Sequence, residues 1–213
     1  MKKLVAEFLG TFMMVFAGTG SIIVNDIYGS VGQIGIGLTF GFVVMAVIYS
    51  IGSISGAHIN PAVSIAFWVS KRFETNQLLP YIISQLCGAI CASLLLSIMF
   101  PQHNLLGATL PAGNWEQSFV MEFILTFILM FVILLMSEGS KEVGIMTGFV
   151  IGMVVAFEAI FAGPVSGASM NPARSLAPAL ISGYFSHLWI YLVATILGAV
   201  SSVFAVSLIR DSS

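Results

Sequence analysis

The chain has 213 residues, of which 58% are hydrophobic and only 8% charged, with a formal net charge of −2. Soluble domains carry about 25% charged residues, so this composition cannot coat a water-facing globule and requires a lipid solvent. The few charges are scattered without a basic patch, which argues against a nucleic-acid partner.

From the N-terminus, Lys2 and Lys3 precede an apolar run from Leu4 to about Val24 that contains Glu7. It exceeds the roughly 7–15 residues of a signal-peptide core, and it reads as a first transmembrane helix. A bilayer crossing needs about 20 mostly apolar residues. The predicted spans are 4–24, 33–52, 78–100, 118–137, 143–163 and 187–209. Two shorter apolar stretches, 61–69 and 172–182, each begin at Asn-Pro. At 1.5 Å per residue they are about 13–16 Å long and reach only half-way through. Cys87 and Cys91 lie four apart in the third span; they are expected to be small buried residues, since free Cys behaves as a small hydrophobe.

Charge placement tests this count. With six crossings and two re-entrant segments, Lys2, Lys3, Lys71, Arg72, Lys141 and Arg210 share one face, and the loops around 25–31 and 101–117 on the other face contain no Lys or Arg. The positive-inside rule then puts both termini in the cytoplasm. The expected location is a plasma membrane, in the simplest case the inner membrane of a microbial cell. Arg174 is the one basic residue left at membrane depth.

The chain repeats itself. Ala6-Glu7-Phe8-Leu9-Gly10-Thr11-Phe12 resembles Met121-Glu122-Phe123-Ile124-Leu125-Thr126-Phe127, and Ser55 to Ala62 resembles Ser166 to Ala173. Three spans and a half-helix per unit force the second unit to insert upside down, and inverted repeats place a site near the midplane. We therefore expect an all-α membrane protein: a single transmembrane channel domain with repeats at about 1–100 and 114–213. Gly37 and Gly41 in the second span, and Gly144, Gly148 and Gly152 in the fifth, recur every four residues, an interval that lets helices approach closely in lipid.

Asn is a favoured helix N-cap and Pro a favoured first residue, so Asn60-Pro61-Ala62 and Asn171-Pro172-Ala173 each start a helix. Two such starts meeting at mid-membrane aim two positive dipole ends at one point, each equivalent to about half an elementary charge. Cations are repelled there, whereas a neutral hydrogen-bonding molecule finds two amide donors. The segments leading in, Gly56-Ala57-His58 and Gly167-Ala168-Ser169, must be irregular, and irregular backbone in a bilayer must line a cavity or be buried in protein. Their carbonyls are expected to form a ladder of acceptors along the path.

This combination of six spans, paired Asn-Pro-Ala boxes, an Ala-Glu-Phe opening and an Arg after the second box resembles the aquaporin, or major intrinsic protein, family. The run from Ala162 to Arg174 is similar to the nodulin-like intrinsic branch, many of whose members pass glycerol or metalloid hydroxides. The resemblance implies a homotetramer with one pore per protomer, and a narrowest point formed by Phe40, Ala159, Ala168 and Arg174. Water-selective members usually have His where Ala159 stands, so a wide opening is implied, with an apolar wall at Phe40 and donors at Arg174. Other positions depart from the glycerol-selective pattern: Ser175 replaces the usual Asp, the characteristic loop insertions are missing, and Tyr191 resembles the water-channel pattern although Leu192 replaces its usual Trp. The expected function is passive passage of water and small uncharged solutes, such as glycerol or neutral arsenite, borate or silicate, with exclusion of ions and protons. A strictly water-selective channel is the alternative.

Glu7 and Glu122 occupy equivalent places in the two repeats. As buried carboxylates they could accept N–H bonds from the irregular segments, as the resemblance also implies; as proton carriers of a secondary transporter they would have to face the solute path. His58 can line the inner mouth or serve packing. His103 and His187 fall in outer loops and receive no role. Glu158, beside Ala159, faces either another protomer or the filter. The histidines are widely separated and no Cys/His pair has ligand spacing, so no metal or other cofactor is expected. An intramembrane hydrolase built on Ser166 or Ser169 with His58 lacks an orienting group for the base.

Overall fold

The computed structural model describes residues 1–138 and 140–210, and only the backbone of 141–143. Eight helices and no strand are found among the described residues: α1 Lys2–Tyr28, α2 Gly32–Ser55, α3 Pro61–Val69, α4 Thr75–Met99, α5 Trp115–Met136, α6 Lys141–Ser166, α7 Pro172–Ser182 and α8 Leu188–Ile209. Six are long and apolar enough to cross a membrane. The other two, α3 and α7, have 9 and 11 residues and stop part-way. Helix ends overrun several of the apolar runs. In α1 the helix continues through Asn25 and Asp26 to Tyr28, where Gly29 takes a left-handed φ of 65° and donates its N–H to Asn25 O at 2.7 Å.

The halves are built alike. In the first, α1 packs on α2 and α4; in the second, α5 packs on α6 and α8, and α2 joins α6 across the middle. Each half-helix crosses over: α3 lies against α8 as well as α4, and α7 against α4 as well as α8. Close approach depends on glycine. A Cβ on Gly88 would sit 2.2 Å from Phe8 O, and one on Gly198 would sit 2.2 Å from Phe123 O. The predicted glycine rows of α2 and α6 do meet, since a Cβ on Gly41 would lie 2.5 Å from Gly152 O and one on Gly37 2.9 Å from Ala156 O. Gly148 instead makes room for the Tyr49 ring, and Gly144 has no neighbour within 4 Å.

One expectation is corrected. Cys87 and Cys91 are exposed on the outer surface of α4. The buried face of that helix carries Tyr81, Gln85, Gly88, Ala89, Ala92, Ser93 and Leu96. Lipid tails are as apolar as a protein core, so a small apolar residue gains little by turning inward, and closeness of backbones selects the packed face.

The faces of the bundle agree with the charge count. Glu138 pairs with both Arg72 and Arg210, and Arg72 Nη1 donates to Leu134 O at 3.1 Å. These contacts gather the loop after α3, the end of α5 and the end of α8 on the face where the chain begins.

Candidate functional site

The two half-helices start as their sequences require. Asn60 caps α3, its Oδ1 accepting from Ala62 N at 2.9 Å, and Asn171 caps α7, accepting from Ala173 N at 2.9 Å and Arg174 N at 3.4 Å. Pro61 and Pro172 are the first helical residues. The caps meet: Asn60 Nδ2 donates to Met170 O at 2.7 Å, and Asn171 Nδ2 donates to Ile59 O at 2.9 Å. Each amide thus uses one N–H to hold the loop before the other, and keeps its second N–H.

Those loops are strained in the same way. Gly56, Ala57 and Ile59 have φ of 87°, 47° and 43°; Gly167, Ala168 and Met170 have 86°, 43° and 54°. A non-glycine residue in this left-handed region costs about 1–2 kcal/mol, so something must hold it. In the first half Glu7 accepts from Ser55 Oγ at 2.7 Å, His58 N at 2.9 Å, Ile59 N at 2.7 Å and Gln85 Nε2 at 2.8 Å. In the second, Glu122 accepts from Ser166 Oγ at 2.7 Å and from Ser169 N and Met170 N at 2.9 Å each. A tyrosine closes each corner, Tyr81 OH donating to Ser55 O at 2.9 Å and Tyr191 OH to Ser166 O at 2.7 Å. Both carboxylates are wholly buried.

A cavity of ≈ 120 Å³ runs past the caps. One wall is polar: Gly56, Ala57, His58, Asn60, Ala168, Ser169, Asn171 and Arg174. The rest of the lining is mainly apolar, with Phe40, Val44, Ile48, Leu129, Ile133, Ile151 and Val155, and includes Ser137 and Thr147. Most of the predicted site residues therefore come together. Pro61, Ala62, Pro172 and Ala173 stand behind the wall, buried in the helix starts. Gly167 and Ala159 are not part of the wall. Ala159 is buried in the core, and its carbonyl accepts from Gln33 Nε2 at 2.7 Å. Glu158 is also wholly buried, away from the cavity, with both carboxylate oxygens unpartnered. Its burial excludes the expected position facing another protomer, and it is not among the residues lining the cavity.

His58 does both things expected of it. It lines the cavity, while its ring stacks on Phe67 at 4.8 Å and packs against Phe73 and Tyr81, with Nδ1 3.1 Å from Ser64 Oγ. Ser169 takes the matching place in the second half, where its hydroxyl meets Ser175 Oγ. Ser64 and Ser175 were open to detection, because each stands at the same distance after its Asn-Pro-Ala box.

Arg174 is 1% exposed. Its Nη1 donates to Gly107 O at 2.7 Å, and its guanidinium lies over the Phe40 ring at 5.3 Å. Phe40 can lie there because residue 18 is glycine; a Cβ on Gly18 would come within 2.1 Å of the ring. Gly107 belongs to the loop between α4 and α5, and nothing in its sequence pattern singled it out. Thr109 of the same loop donates to Ser175 Oγ at 2.7 Å.

With this geometry established, its likeness to known proteins is informative. The model of the major intrinsic protein family matches residues 1–206. Aquaporin NIP3-1 of Arabidopsis thaliana is 46% identical over 220 residues, covering 99% of this chain and 68% of the relative. Nodulin-26 of Glycine max is 42% identical over 212 residues, covering 99% of this chain and 78% of the relative. The X-ray structure of the aquaglyceroporin from Plasmodium falciparum matches with a TM-score of 0.87 and 26% identity, over 95% of this chain and 93% of that one. The two curated relatives named are plant proteins, and the expectation of a microbial inner membrane gains no support from them. A family model matched along nearly the whole chain, six spans and two half-helices identify this protein as a member of the major intrinsic protein, or aquaporin, family, a membrane channel for water and small solutes and not an enzyme.

Proposed function

We propose that the pore passes water and small uncharged polyhydroxy solutes, glycerol or neutral metalloid hydroxides such as arsenite, borate or silicate, and excludes ions and protons. The observation that carries this reading is the mixed lining of the cavity, in which apolar side chains such as Phe40, Val44 and Val155 accompany the polar groups of Asn60, Asn171 and Arg174. A polyol has carbon on one side and hydroxyls on the other, and matches such a wall without desolvating either face wrongly.

In this reading Asn60 and Asn171 donate their free amide N–H groups to solute at the centre. The carbonyls of Gly56, Ala57 and His58, and of Ala168 and Ser169, accept along the two approaches. Donors at the centre and acceptors at both ends orient a water file in opposite senses, which breaks a proton relay. Phe40, Ala168 and Arg174 form the outer constriction with Ala159 behind it, and the Arg174 charge opposes cations. Glu7 and Glu122 serve as anchors of the strained loops. Their lone pairs are directed at donors and neither faces the cavity, which speaks against proton-coupled transport. The chain acts as one channel domain with repeats at about 1–100 and 114–213, assembled as a homotetramer in a plasma membrane with both termini cytoplasmic. The basic residues on the face of the termini support that orientation.

The strictly water-selective reading has one observation in its favour: Tyr191 in the last span resembles the water-channel pattern. Stopped-flow light scattering on protein in liposomes decides between the two. Glycerol and neutral arsenite are expected to cross well above the protein-free lipid rate. Rapid water flow without either solute establishes the water-selective channel, and accumulation driven by a proton gradient refutes both.

A further inference from the structure

The outer loop holds a chain of contacts that runs from α1 to Arg174. His103 Nε2 is 3.1 Å from Asp26 Oδ2 at the end of α1, and His103 Nδ1 accepts from Leu106 N at 2.9 Å. The two contacts fix the neutral tautomer, with the proton on Nε2; the other tautomer would set N–H against N–H at Leu106. Leu106 and Gly107 are consecutive left-handed residues, φ 51° and 70°. Leu106 is packed with Ile23 and Leu96. Gly107 is pressed on Thr19, where a Cβ would come within 2.9 Å of the side chain and 3.0 Å of the carbonyl. The next polar atom along is Gly107 O, the acceptor for Arg174 Nη1 at 2.7 Å. That is the hydrogen bond the Arg174 side chain makes among the described residues, and its Nε has no partner. The guanidinium is thus set by the Phe40 ring and the Gly107 carbonyl.

We infer that His103, latched to Asp26, is a positioning residue for Arg174: it holds the Leu106–Gly107 turn so that the Gly107 carbonyl draws the guanidinium to the wall and keeps the outer constriction open to solutes larger than water. The inference rests on the reading of Arg174 as part of that constriction. Without the latch the turn relaxes, the guanidinium seeks water in the lumen, and the opening narrows. Water is small enough to be affected less than glycerol.

The test is the glycerol-to-water permeability ratio in liposomes for wild type, H103A, H103N, D26A, R174V and H103A/R174V, at matched protein density. H103A is expected to lower the ratio by about threefold or more, the scale set by loss of the acceptor for Leu106 N. Asn can accept from the N–H three residues on, so H103N is expected to restore most of the ratio. In the R174V background H103A is expected to change nothing further, since coupled residues are non-additive. A loop anchor of no consequence for Arg174 would instead lower flux equally in both backgrounds, and that result overturns the inference, as does an unchanged ratio in H103A. If H103A fails to assemble, D26A, which cuts only the outer end of the latch, is scored by the same criterion with a smaller shift expected. If wild type passes no glycerol, the wider solute range falls; the same two-background comparison is then scored on water permeability, with an Arg174-dependent change supporting the inference and an independent or absent one refuting it.

Discussion

Replacing the two buried glutamates separates an anchoring role from a proton-carrying one, and the bonds allow the outcomes to be worked through. Glu122→Ala leaves Ser169 N and Met170 N without an acceptor in a dry interior. Each unsatisfied group costs about 1–3 kcal/mol, so the loss is about 2–6 kcal/mol before any cavity is counted. Glu122→Gln is milder. Ser169 N lies 2.9 Å from one oxygen and 3.1 Å from the other, and Met170 N also reaches the second. An amide with its oxygen on that second site keeps the Met170 N bond and the longer Ser169 N contact, and the Ser166 hydroxyl, facing an NH2, must accept where it now donates. Glu7 has no such solution. His58 N depends on one oxygen and Ile59 N on the other, so Glu7→Gln strands one backbone N–H whichever way it is placed, costing about 1–3 kcal/mol more than the same change at Glu122. Thermal unfolding in detergent, followed by tryptophan fluorescence, should rank the proteins as wild type, Glu122→Gln, Glu7→Gln, then Glu122→Ala. Water permeability should persist in Glu122→Gln. If Glu122→Gln folds normally yet abolishes flux as fully as Glu122→Ala, the carboxylate takes part in transport and the anchoring argument is wrong.

Three further changes probe other parts of the pore. Arg174→Val should admit protons or small cations while water flow is retained, measured with a pH-sensitive dye inside liposomes; proton exclusion equal to wild type would remove Arg174 from that role. Glu158→Leu should raise stability by about 1–3 kcal/mol, because it removes a buried carboxylate without a partner, and should leave glycerol flux unchanged; a selective loss of glycerol flux would restore Glu158 to the solute path. Gly198→Ala should destabilise by about 1–3 kcal/mol as α5 and α8 are forced apart, and Gly88→Ala should do the same for α1 and α4. Unfolding temperatures equal to wild type would show that these helices yield without cost.

Residues whose chemistry is peculiar at membrane depth were legible from the sequence. Asn60 and Asn171 have few uses inside an apolar run other than to begin a helix, and Glu7 and Glu122 betray themselves by recurring in matched contexts. Residues whose role depends on a distant partner were not. Gly88 and Gly198 belong to no four-residue glycine row, and although each stands at the same place in its repeat, their importance lies in a carbonyl on another helix. His103 and Gly107 sit in a loop whose course is set by what it touches, so neither shows its connection to Arg174 in the order of residues. Cys87 and Cys91 were placed on the wrong side of α4 because hydrophobicity does not distinguish protein from lipid. Ala159 was assigned to the narrowest point by family resemblance alone; it is buried in the same cluster as Phe40 and Ala168.

The reciprocal grip of the two asparagines has a consequence for assembly. Its bonds join residues 110 and 112 positions apart, so when the first box leaves the ribosome its mate has yet to be synthesised. The earlier half must wait in the bilayer with a polar amide and a bent carbonyl unmatched, and the middle of the conduit is the last part to set. A chain interrupted before the second box would leave the Asn60 amide and the Ile59 carbonyl without these partners.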